Sequence, residues 1–407
     1  MRTTTSLAAL AITASAGLAG APEYTITDLG TVAAGDTFVQ GFGISPGGVA
    51  FGRSVGESNQ AFAWTPDTGI VGLPSNAGSL FHVANGANDG GVVVGVGAAT
   101  LFGTGALPLM WTDGVLTPLP VLPGLGVARA NDVNESAVVV GSSGGGVQEV
   151  ATYWMDGVAN AVTATTVGGA IMTTAFRVND AGVAVGHGVD PLAGARNVAL
   201  MYDISTGVLT EVPPLPGDNG GIAFDVSNNG FVVGGSSVNQ TNSTPFIWSA
   251  KTGSVEVPLP TGASLGSARG VNSDGWAVGI GSGAFALPFL YDGEQTYLLQ
   301  DLLPDDTEWD IAMNTSSSAL GISEDGSIVG TGIRDGELRA YIMTLVDGAC
   351  SAADLAAPFG ELDIADVVEF LRAFGAGDPA ADLAAPTGEF DIADVVEFLR
   401  LFGAGCP

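Results

Sequence analysis

Cysteine, histidine and positive charge are all scarce in this chain of 407 residues. It has two Cys, two His, and 11 Lys plus Arg against 42 Asp plus Glu. Two histidines at unrelated points, His82 and His187, leave no ligand set for a zinc hydrolase. A formal charge of −31 without any basic cluster excludes nucleic acid and anionic lipid head groups as partners. Beyond the N-terminus there is no apolar run long enough to cross a bilayer, so no membrane insertion is expected. Disorder is excluded in turn, because 46% of the residues are apolar and only 13% charged. The acidic excess has two readings: a demand for cations, or solubility for a chain so rich in apolar side chains.

Glycine is abundant instead. Sixty-two glycines argue against long helices, since each one inside a helix costs roughly 0.5–1 kcal/mol relative to Ala. Many short strands joined by tight turns use them freely. The first 21 residues read as a secretory signal: Arg2, then an apolar Leu7 to Ala14, then small residues Ala16, Gly17, Ala19, Gly20 and Ala21 as cleavage points. The expected location is therefore extracellular or the cell surface. In an oxidising compartment Cys350 and Cys406, near the ends of one short segment, most simply form one disulfide.

A segment of the form V-N-x-x-G-x-V-V-G recurs seven times, ending at Gly52, Gly95, Gly141, Gly186, Gly234, Gly279 and Gly330. Successive ends lie 43, 46, 45, 48, 45 and 51 residues apart. Within a copy, a polar tetrad such as Asn179-Asp180-Ala181-Gly182 is a turn signal. The Val-rich run after it is a buried strand. An aromatic-bearing strand follows, as in Ala61-Phe62-Ala63-Trp64 and Phe246-Ile247-Trp248, and then a Thr-Gly or Asp-Gly turn into another strand. The stretch before each tetrad supplies the fourth. Four short antiparallel strands per unit of about 45 residues predict an all-β, seven-bladed β-propeller over residues 22–346. An open β-solenoid would use shorter coils and caps. The seventh copy stops near Leu345 without its last strand, and Tyr24 to Gly30 resembles the missing piece, so an N-terminal strand is expected to close the last blade. The tryptophans Trp64, Trp111, Trp154 and Trp248 share one repeat position, which reads as core between blades. These repeats resemble the bacterial extracellular family named HAF, whose units carry I-N-x-x-G-x-V-V-G followed by A-F-x-W. Ala137 departs from the pattern by replacing the turn glycine of the third copy.

Composition shifts at Cys350. Residues 354–374 and 382–402 are a duplication with a period of 28 and 18 of 21 positions identical. The second half of each copy predicts a helix capped by Asp363 or Asp391. Ile364, Val367, Val368, Leu371 and Phe374 are expected on one apolar face, with Gly375 and Gly403 stopping the helices. A paired loop-helix unit led by aspartates resembles a dockerin, and more narrowly the variant ending in Gly-Cys on exported planctomycete proteins. Residues 347–407 are thus expected to be a small all-α, dockerin-like module. The resemblance implies a cohesin-like partner read through Ile364-Ala365 and Ile392-Ala393. It also implies Ca²⁺ held by Asp354, Asp363, Asp366, Asp382, Asp391 and Asp394, with few other ligands in the first half of each loop.

Two G-x-S-x-G matches, at Gly52 to Gly56 and Gly141 to Gly145, fall where repeat strands end and have no suitable histidine, so neither Ser54 nor Ser143 reads as a nucleophile. The sialidase box is absent. The expectation is a non-catalytic surface or matrix protein, its propeller a disc for a polysaccharide or protein ligand and its tail an anchor. The alternative is a polysaccharide-active enzyme, a glycoside hydrolase or lyase, carried as dockerin cargo.

Overall fold

The computed structural model describes residues 21–100, 105–145, 148–191, 196–238, 241–346, 351, 353–356, 362, 364–377, 381–384 and 390–405. Residues 1–20 of the expected signal segment, Cys350, Asp363 and Cys406 lie outside them. The repeats form a seven-bladed β-propeller of antiparallel sheets. Blade 4 is representative, with strands Ile171–Val178, Val183–Asp190, Arg196–Asp203 and Val208–Glu211 in that spatial order. The first strands of neighbouring blades touch one another in a closed circle around a central axis.

Closure follows the expectation. Strand Tyr24–Asp28 pairs antiparallel with Glu337–Leu345 in the last blade, from Tyr24 opposite Leu345 to Asp28 opposite Tyr341. Tyr24 is 1% exposed and its hydroxyl donates to the Gly326 carbonyl at 3.1 Å. Trp111 and Trp154 are buried between blades, and their indole N–H groups donate to the Pro74 and Pro120 carbonyls at 2.8 and 2.7 Å. Trp64 and Trp248 are half-buried at the same position.

The motif asparagine does more than mark a turn. Asn179 Oδ1 accepts the Val183 N–H at 3.0 Å, closing its own turn, while Nδ2 donates to the Ser227 carbonyl of the next blade at 3.0 Å. Asn88 and Asn134 repeat both bonds, reaching Asn134 and Asn179 respectively. All three are buried, where a neutral hydrogen bond contributes about 1 kcal/mol and an unmade one costs more. The turn residue Ala137 adopts φ +58°, the left-handed conformation its glycine counterparts hold in the sister turns.

The final glycine of the motif has a different cause. Each innermost strand carries a surplus residue, a β-bulge, beside that glycine, and Ile171–Val178 carries a second at Thr173. A Cβ on Gly95 or Gly141 would lie 1.9 Å from the bulged strand's carbonyl oxygen, on Val83 or Arg129. Only hydrogen fits, which is why the repeat ends on glycine.

The tail forms two helices, α1 (Ile364–Ala376) and α2 (Ile392–Ala404). Phe370 and Phe398 stack between them at 4.1 Å between ring centroids. Two of the expectations are corrected. Val367, Phe370, Ala373 and Phe374 face inward, whereas Ile364, Val368 and Leu371 are 74%, 60% and 59% exposed. At 100° per residue these are two stripes of one broad apolar arc, and a single partner helix covers only one. The helices also run through Gly375 and Gly403 and end near Gly377 and Gly405, both at positive φ.

Candidate functional site

The surplus residues define the site. A bulge leaves its extra residue outside the hydrogen-bond ladder and re-aims the side chain, and here seven of them turn toward the axis. Phe42, Phe176, Phe224 and Leu320 from blades 1, 4, 5 and 7 give apolar surface, and Asn85, Asn131 and Arg269 from blades 2, 3 and 6 are polar. Together with Arg177 they line a cavity of about 390 Å³. Among the described residues no carboxylate lines it, although the chain carries 42 acids.

One residue further along, four blades have glycine, which the crowded axis demands. A Cβ on Gly86 would sit 2.5 Å from the Asp132 Cα. The other three blades place Asp132, Arg177 and Asp225 there. Arg177 Nη1 donates to the carbonyls of Asn85 and Asn131 at 3.0 and 3.2 Å, and its Nε lies 3.9 Å from Asp225 Oδ1. The guanidinium forms the cavity floor. On its turn side a smaller void of about 70 Å³ is lined by Asp132 and Asp225. Asp132 Oδ2 accepts the Val178 N–H and Asp225 Oδ2 the Val271 N–H, both at 2.9 Å. Burial drives the Asp132 carboxyl up to about 7, against the opposing pull of Arg177. Burial raises Asp225 as well, again opposed by Arg177.

Arg269 differs from Arg177. Its guanidinium lies 3.8 Å from the centroid of the Phe224 ring, its Nε is buried without a hydrogen-bond partner, and burial lowers its proton affinity. It also borders a side cavity of about 190 Å³ lined by Asn197, Ser237, Ser243 and Ser267. His187, outside every motif, stacks on Phe176 at 5.3 Å between ring centroids. Its pKa is lowered, chiefly by burial.

The residues singled out by sequence fall elsewhere. Ser54 is buried and donates to Asp36 at 2.6 Å, and Ser143, also buried, accepts from Thr152 at 3.0 Å, so neither is a nucleophile. In the tail Asp366 and Asp394 are buried. Asp366 Oδ1 accepts the Leu355 and Ala356 N–H groups at 2.7 and 2.9 Å, and Asp394 Oδ1 does the same for Leu383 and Ala384. Asp391 caps α2 through the Ala393 N–H at 2.7 Å, and Asp394 Oδ2 completes the capping box. Asp354 is buried and Asp382 half-buried where each copy begins. Asp366, Asp391 and Asp394 serve backbone N–H groups, and among the described residues no three acidic, histidine or cysteine groups converge as a metal site. Ile364 and Ile392 stand exposed at the helix starts, with Ala365 and Ala393 half-buried beside them.

No family model matches the chain, and no curated protein matches it. Among solved structures it is similar to virginiamycin B lyase from Staphylococcus aureus, with 12% identity over 80% of this chain and 100% of that one at a TM-score of 0.50. A streptogramin B lyase is 13% identical over 79% and 98% of the two chains, at 0.49. An oligogalacturonate lyase from Vibrio parahaemolyticus is 10% identical over 78% and 93%, at 0.49. At such identities the likeness is one of fold. It nonetheless corrects the expectation that the chain is no enzyme. That expectation rested on missing serine, histidine and sialidase motifs, and a protein that shares this fold at 12% identity is a lyase.

Proposed function

We propose that this chain is an exported enzyme of the hydrolase or lyase type that acts on a polysaccharide in the axial cavity. The observation that carries the reading is Asp132, a carboxyl with proton affinity near neutrality, in the small void directly behind the Arg177 guanidinium that floors the aromatic-lined cavity. A group that gains and loses a proton near pH 7 is suited to general acid–base work. A fixed guanidinium next to it stabilises negative charge that develops during bond cleavage. Phe42, Phe176 and Phe224 offer flat apolar faces to sugar rings, and the amide oxygens of Asn85 and Asn131 are acceptors for hydroxyls. The duplicated tail, in the same reading, anchors the enzyme to a cohesin-like surface protein through its exposed helix stripes. The support for that part is their repetition: Ile364, Val368 and Leu371 recur as Ile392, Val396 and Leu399, all exposed.

The test is a screen of the purified chain on neutral and acidic polysaccharides. Reducing ends report hydrolysis, and the ultraviolet absorbance of an unsaturated product reports elimination. Product from at least one substrate is expected, with a loss of about 100-fold or more in Asp132→Asn. No product from any substrate would sink the proposal, and full activity in Asp132→Asn would remove the role given to that residue.

A further inference from the structure

Positive charge is concentrated where this acidic chain has least reason to put it. Of the 11 Lys and Arg, Arg177 and Arg269 line the axial cavity. Arg53 stands 5.5 Å from the Phe42 ring that also lines it. Arg129 is exposed two residues before Asn131, on the same strand face. Arg177 is absorbed by the fold, because three carbonyls and Asp225 surround it. Arg269 is not. No salt bridge reaches it among the described residues, and its Nε is buried without an acceptor.

The fold does not demand an arginine there. The same bulge position holds Phe42, Asn85, Leu320 and others in the sister blades, so the propeller forms with phenyl, amide or isobutyl groups alike. A partly buried cation lacking a counter-ion is costly, and the Phe224 face beneath it compensates only in part. Such a group is explained by an anion that arrives from outside. The guanidinium presents parallel N–H donors in a plane, the geometry that pairs with a carboxylate. Next to it, Ser237, Ser243, Ser267 and Asn197 line a recess of about 190 Å³, a polar surround suited to a hydroxyl-rich ring.

We propose that Arg269 and Phe224 form a subsite for a carboxylated sugar, the carboxylate on the guanidinium and the ring hydroxyls toward the serine-lined recess. The inference rests on the axial cavity being the substrate site, and it narrows the substrate to a uronate-containing glycan.

The experiment is calorimetric titration of the full chain. The probes are trisaccharides of glucuronic, galacturonic and mannuronic acids, their carboxyl-reduced neutral counterparts, and a sulfated trisaccharide. The expected result is at least tenfold tighter binding of one uronate than of its neutral counterpart. Arg269→Gln abolishes that preference and Arg269→Lys keeps part of it. Because the bulge position accepts amide side chains in two other blades, Arg269→Gln is expected to melt with the parent chain, and thermal unfolding verifies this. No heat from any probe, equal binding of acid and neutral sugars, binding of the sulfated probe alone, or an unchanged preference in Arg269→Gln would each overturn the subsite. Uronate binding without product from any polysaccharide leaves the subsite standing and removes catalysis. Product formation with no acid preference does the reverse.

Discussion

Asp132, the proposed acid–base group, ties the proposed chemistry to the stability of the fold. In the unfolded chain an aspartate loses its proton near 3.8, whereas burial holds the folded carboxyl protonated up to about 7. Folding therefore takes up a proton between those values, so this residue's contribution declines as pH rises through the window and is least favourable above 7. The interval corresponds to at most roughly 4 kcal/mol. Asp132→Asn keeps an acceptor for the Val178 N–H and carries no charge at any pH. The variant is expected to match the parent chain near pH 4 and to exceed it in urea unfolding at pH 8 by about 2–4 kcal/mol. Parallel stability curves across that range would show that Asp132 is not held protonated. A substitution that stabilises the protein while removing activity is the signature of a group kept in place for chemistry.

At the scale of elements, strands and turns were legible because their causes are local. Asn, Asp and Gly at a turn, Val in a buried strand and the 45-residue spacing each act over a few residues, and the missing strand of the seventh copy follows from counting. The bulges were not legible. They occupy a position where the copies differ, so nothing repeats there except the glycine opposite, whose crowding by a carbonyl has no trace in one dimension. The axial arginines were hidden for the same reason: they come from different blades and meet only when the ring closes. The helices failed in a different way, since a broad apolar arc does not say which half a neighbour will cover. Their uncovered halves carry the anchoring proposal. Replacing Val368 and Val396 together by Asp is expected to leave melting unchanged and to release the chain from the cell-surface fraction of the organism that makes it. Either substitution alone leaves retention intact, because the stripes are duplicates. Full retention of the double variant, or complete loss from one substitution, would contradict a two-way anchor.

On the scale of the whole molecule, the ring is joined by a single noncovalent seam. Tyr24–Asp28 is the outermost strand of a blade whose other members lie some three hundred residues away, and Tyr24 and Leu29 are both buried. Removing residues 21–30 takes the outermost of five strands from the last sheet and bares the edge of Glu337–Leu345. The truncated chain is expected to melt roughly 5–10 °C lower and to self-associate through that edge, read by calorimetry and light scattering. A truncated chain that melts and sediments like the parent would mean that closure is carried by the inner circle alone. That inner circle also has a consequence for how such proteins diversify. Each surplus residue sits outside the pairing of its own blade, so apart from Asn85 and Asn131, which donate to the next blade's backbone, its identity is weakly tied to the conditions for folding. A lineage can rewrite the seven-sided wall one side chain at a time, without passing through an unfolded intermediate sequence. What the cavity accepts is thereby free to drift while the architecture stays under selection.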